Sequence, residues 1–222
     1  MIDMPDSEPR ALPSGGARCP FGVRAELSPV RFRIETAFGG CDLAAHHPPT
    51  LSGTLLEYLR PGALEVALGQ DGGGYCACHP RLIGAIEDAP EGDSPPLTVA
   101  LLSLALSPHS RPFGISSAGD FLALSHWEIT SGSLELGLPG WGTRSIDLRG
   151  WTSPEHSGLG RIRFDADGVH LTRSLDLQFN LREPARGMRM VLQVHGLLCG
   201  EMSYPGDWPM RSRSERERLR SA

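Results

Sequence analysis

The residues best suited to chemistry are thiols and imidazoles in two short stretches: Cys41, His46 and His47 in the first, Cys76, Cys78 and His79 in the second. Thiolate sulfur and imidazole nitrogen are ligands that zinc favours, and loops from adjacent hairpins could together supply the four of a tetrahedral site. The detailed spacing argues against it. Cys76-Ala-Cys78 on an extended strand places both sulfurs on one face, but zinc knuckles ordinarily leave two or more residues between their cysteines. The neighbouring His46 and His47 would diverge on a strand. Ordinary buried or surface cysteines are therefore the expectation. The alternative is a zinc site built from Cys41, His46, Cys76, Cys78 and His79, serving a small zinc- or cysteine-dependent enzyme that uses loops 41–47 and 76–79. For covalent catalysis Cys41 or Cys76 would need a base, and His46, His79 and His156 qualify by type only. Glu155-His156 is an acid and base pair in composition, yet adjacent side chains seldom converge on one substrate. No catalytic set is complete, so a non-catalytic module without a cofactor is the leading reading.

Whatever the site, strands must position it. Val30, Phe32 and Ile34 alternate with Arg31, Arg33 and Glu35, the period of a half-buried strand. Leu51–Leu59 and Ala63–Leu68 flank the turn Arg60-Pro61-Gly62 and predict a hairpin. The glycines at 72–74 lead into Tyr75-Cys76-Ala77, and a phosphate cradle would need a helix there, so a strand is expected. Leu97–Leu106 is apolar and short, like a buried strand. Ser133–Leu138 alternates again. Ile162 and Phe164, then Val169 and Leu171, predict a hairpin over 160–173 around Asp165-Ala-Asp-Gly168, where Gly168 can take a positive φ. A second pair is expected, with Leu175, Leu177 and Phe179 facing Met188, Met190, Leu192 and Val194 across the turn 183–187. Asp42 and Asp147, at the starts of loops, are better suited to capping backbone than to catalysis.

The fold class expected is mostly β, an antiparallel sandwich or barrel with two similar halves: residues 23–110 and 120–209, joined across 107–119. Each half carries a loop rich in proline and histidine, which is compatible with a diverged duplication. Residues 1–22 read as a flexible leader, and 210–222, where arginine and glutamate interleave, as a charged tail.

Trp127, Trp141 and Trp151 cluster in the chain. Indole rings offer large contact area with one polar handle, so these three with His156 are the candidate lining of a cleft for a small apolar, lipid-like ligand. Core packing is the competing role for each.

The segments Asp147-Leu148, Trp151, Ser153-Pro154-Glu155-His156, Phe179-Asn180-Leu181 and Met188-Arg189-Met190 form an ordered series. Upstream, Phe32, Glu35-Thr36 and Gly39 precede it. This series resembles β-rich accessory regions appended to cholesterol-oxidase-like flavoproteins of the glucose-methanol-choline class. Ser153, Arg182 and Met190 stand where those regions have aspartate, phenylalanine and tyrosine. The resemblance implies an accessory module with a flavoprotein partner, not the flavin-binding domain, whose Gly-x-Gly-x-x-Gly fingerprint is absent from the sequence.

Composition bounds the rest. The 222 residues carry 40% hydrophobic and 21% charged side chains, with 27 glycines and 19 prolines, which suits a folded, turn-rich protein with little long helix. A net charge of −5 argues against a nucleic-acid binder. All 21 basic residues are arginine, and without lysine neither a Schiff base nor a Walker-type phosphate loop can form. The five cysteines are an odd set, and no signal-peptide pattern or apolar span of membrane length occurs. Cytoplasmic localisation with reduced thiols is the expectation.

Overall fold

The structure is a computed structural model that describes residues 17–36, 39–45, 49–60, 65–68, 73–76, 81–84, 97–110, 112–138, 142–165, 167–183 and 188–204. The described residues are all β, without a helix. In chain order the strands are β1 (Ala17–Thr36), β2 (Gly39–Ala45), β3 (Thr50–Arg60), β4 (Glu65–Leu68), β5 (Gly73–Cys76), β6 (Arg81–Gly84) and β7 (Leu97–Ser110). There follow β8 (Phe113–Gly114), β9 (Asp120–Leu138), β10 (Gly142–Asp147), β11 (His156–Phe164), β12 (Gly168–Glu183) and β13 (Met188–Ser203).

Every pairing among them is antiparallel, and at one end they close into a ring: β1–β13–β12–β11–β9–β7–β5–β3 and back to β1. Closure leaves the ring without a free edge. At the other end β2 and β6 take the places of β3 and β5 between β1 and β7, and β10 takes that of β11 beside β9. There β10 and β12 are not paired with each other among the described residues. The two expected halves are thus woven into one sheet through β1–β13 and β7–β9. The segment 107–119 is in large part strand, because β7 continues to Ser110 against β9.

Alternation accounts for the core. Val30, Phe32 and Ile34 point inward, as their spacing predicts, but β1 begins at Ala17, inside the stretch read as a leader, and also buries Cys19, Phe21, Val23, Ala25 and Leu27. The buried positions change from odd to even at one place. Between Leu27 and Val30 the register against β13 slips by one residue, a bulge that returns the side chains on both sides of it to the interior. Residues 168–183, expected as parts of two hairpins, form the single strand β12, whose inward positions run Val169, Leu171, Arg173, Leu175, Leu177 and Phe179. The hairpins expected over 51–68 and 160–173 are present in the pairings of β3 with β4 and of β11 with β12, and β5 is a strand, as read from Tyr75 and Ala77.

Gly168 departs from its expected role. Its φ is not positive; a Cβ there would lie 2.4 Å from the carbonyl oxygen of Met202, so glycine is required by the close approach of β13.

Candidate functional site

The segment 147–156 does not leave the barrel. It runs back along the middle of β9: Leu148 N donates to Gly132 O, Gly150 N to Ile129 O, Ile129 N to Trp151 O and Ser153 N to Trp127 O. It thereby supplies partners for the part of β9 lying between its pairings with β10 and β11. Asp147 Oδ1 accepts from Arg149 N at 3.0 Å, the backbone cap its position suggested. Ser153, buried, accepts from Trp127 N at 2.9 Å and donates to Pro154 O at 3.0 Å.

These bonds tie Trp127, Trp151 and the segment leading to His156 to one region at the closed end of the barrel. Trp127 is 3% exposed and points inward. Trp151 is half-buried and packs against the core. His156, also half-buried, starts β11, where its backbone pairs with Ser125. Trp141, His46, Cys78 and His79 lie outside the described residues, as does His47. Cys41 and Cys76 have their backbones in β2 and β5, opposite Ile34 and Leu51 respectively. Beyond those two backbone positions, the proposed zinc set lies outside the described residues.

Two residues not singled out from the sequence complete the region. Arg173 on β12 is 1% exposed and Glu57 on β3 is 2% exposed, both inside the ring. The guanidinium lies over the Trp127 ring, 5.6 Å from its centroid, and Nη2 donates to Ser125 Oγ. Gly158 leaves room for it: a Cβ there would be 3.2 Å from Nε. Arg173 Nε and Nη1, Glu57 Oε2, Trp127 Nε1 and His156 Nε2 are buried with no hydrogen-bond partner among the described residues. Buried polar atoms are ordinarily paired, so five together mark a place where the interior is not self-satisfied.

The electrostatics follow from burial. Desolvation raises the Glu57 carboxyl to about 8, against a smaller downward pull from Arg173. Cys19, opposite Glu57 in the β1–β3 register, is raised to about 12 by burial and by Glu57. Burial lowers His156, a weak contact to Pro154 O opposes this, and Arg173 lowers it further. Desolvation also lowers Arg173, although a guanidinium keeps its proton at neutral pH. At neutral pH the centre therefore holds a charged Arg173 among a neutral carboxyl, a neutral imidazole and an indole N–H.

Below it the interior is apolar. A void of about 10 Å³ is lined by Val23, Ala25, Leu51, Leu55, Leu106, Trp127, Leu175 and Leu198. Trp127 belongs to both the void and the polar centre.

Comparison with known proteins identifies no relative. No family model, no curated protein and no solved structure matches the chain.

Outside the barrel, Asp165, Asp167 and His170 gather at the β11–β12 turn, with His170 Nε2 3.6 and 3.5 Å from the two carboxylates and Nδ1 3.8 Å from Glu201. The imidazole thus has acidic partners on both ring nitrogens.

Both interior ionisable residues left a trace in the sequence. Arg173 falls in an otherwise apolar period-two series from Val169 to Phe179, and Glu57 falls between Leu55 and Leu59.

Proposed function

We propose that the chain is a non-catalytic β-barrel binding module that takes a small apolar, lipid-like ligand into the closed end of the barrel, beside Trp127, Trp151 and His156. The observation that carries this reading is the eight-residue apolar wall of the internal void, which includes the Trp127 ring over which the Arg173 guanidinium lies. An eight-stranded ring is wide enough to be filled by side chains or to hold one small ligand. The void has room for at most one water, so a ligand enters by displacing the leucines at 51, 55, 106, 175 and 198. The resemblance of 147–190 to accessory regions of flavoproteins supports an oxidoreductase acting on an apolar substrate as the context.

Native mass spectrometry of the purified protein, followed by denaturation of the same sample, tests the reading. The expected result is a retained organic mass of about one per chain, reduced in a Trp151→Ala variant that keeps its β-sheet circular dichroism. A chain that emerges bare and takes up neither an added fatty acid nor an added sterol overturns it.

A further inference from the structure

A buried cation that is not neutralised within its own fold selects for an anion. Arg173 is the only charged side chain among the described inward residues of β12, and the group nearest to a counter-ion is Glu57. The two are not hydrogen-bonded: Arg173 Nε and Nη1 and Glu57 Oε2 all lack partners among the described residues. Burial keeps the Glu57 proton on at neutral pH, so the carboxyl is a donor in place of a counter-charge. Trp127 Nε1 is a further unpaired donor. The one hydrogen-bond partner that Arg173 has among the described residues, Ser125 Oγ, is neutral. Among the described residues the centre thus presents an excess of donors and one net positive charge, and His156, neutral and deprotonated at one nitrogen, adds no negative charge.

We infer that the head group bound here is a single carboxylate, held by Arg173 at the top of the apolar void, with the ligand's hydrocarbon directed among Leu55, Leu106, Leu175 and Leu198. This rests on the binding reading above and specifies its ligand as an anionic amphiphile. One negative charge matches one guanidinium, whereas a neutral sterol or alcohol would leave Arg173 uncompensated. A head of charge −2 would leave a buried excess of negative charge. A carboxylate accepts from planar N–H donors in the geometry that arginine offers. Ser125 fixes the guanidinium from one side, the Trp127 ring supports it from a face, and the missing side chain of Gly158 lets it lie against β11.

Calorimetric titration of the whole protein with decanoate and with decanol, which share a chain and differ in the head, tests the assignment. Decanoate should bind at least about 10-fold more tightly, the ratio expected of a charge-assisted hydrogen bond. Arg173→Met, verified as folded by circular dichroism, should bring the two affinities together. Equal binding of acid and alcohol by the unaltered protein overturns the carboxylate assignment while leaving an apolar binding module. Failure of both to bind overturns the binding reading as well. Preference for the acid that survives unchanged in Arg173→Met places the anion elsewhere and overturns the role of Arg173. Should that variant not fold, Ser125→Ala, which frees the guanidinium from its one hydrogen bond, must still change the ratio; an unchanged ratio sinks the proposal.

Discussion

A Cβ on Gly158 would sit 3.2 Å from Arg173 Nε and equally close to the carbonyl oxygen of Ser174. The glycine on β11 and the arginine on β12 are therefore complementary: the absence of one side chain creates the berth of the other. Gly158→Ala should cost about 1–2 kcal/mol, the scale of a mild overpacking. Part of that cost should vanish in an Arg173→Ala background, because only the Ser174 contact then remains. Urea unfolding of the two single variants and the double variant reads the coupling. Strict additivity would mean that the guanidinium is not what crowds the site.

Glu57 makes stability depend on pH. Its carboxyl is raised from the ordinary 4.5 to about 8, chiefly by burial. Between those values the folded chain holds a proton that the unfolded chain releases. This contribution is fully present below the lower value and is lost as pH rises through the upper one, at up to ~1.4 kcal/mol per pH unit. Cys19 and Arg173 face Glu57; with its thiol near 12, Cys19 stays protonated throughout the window, and Arg173 stays charged. His156 has the opposite sign, since its lowered value favours folding above its ordinary 6.5 and is unfavourable as pH falls. The difference between the native chain and Glu57→Gln isolates Glu57. Urea midpoints should fall more steeply in the native chain than in the variant between about pH 5 and pH 8. Parallel curves would show that the carboxyl is not buried in this way.

Phe179 is fully buried on β12 opposite Leu192 of β13. Phe179→Ala should destabilise by about 3–5 kcal/mol through lost burial and the cavity left behind. Chemical denaturation measures it, and a loss below about half a kcal/mol would remove this strand face from the core.

Cys19 and Cys199 should differ in reactivity. Cys19 is fully buried with its thiol raised to about 12, whereas Cys199 is exposed on the outer face of β13. Since the thiolate is the reacting form, iodoacetamide should modify Cys199 in the native protein and reach Cys19 only on unfolding. Peptide mass mapping over time reads both sites, and comparable native rates would contradict the inward placement of Cys19.

The sequence by itself determined the strands wherever apolar and polar residues alternate without interruption. Val30 to Ile34, Ile162 to Leu171 and Leu175 to Val194 have only one arrangement that buries the apolar set, because a one-residue slip turns the whole face to water. It also brought Trp127, Trp151 and His156 forward as companions, since short-range order in the chain keeps 151–156 near β9. Tertiary structure alone decided three things. The bulge between Leu27 and Val30 hides the continuity of β1 from a periodic reading. Ring closure depends on contacts between distant residues, such as Ala17 with Leu59 and Val23 with Gly200, and alternation marks a face without naming its partner strand. The common burial of Glu57 and Arg173 inside the ring was equally out of reach. Each breaks an apolar series at its own position, yet whether such a side chain turns to solvent or stays inside depends on which groups of distant strands face it, and here Ser125 and Trp127 of β9 receive Arg173.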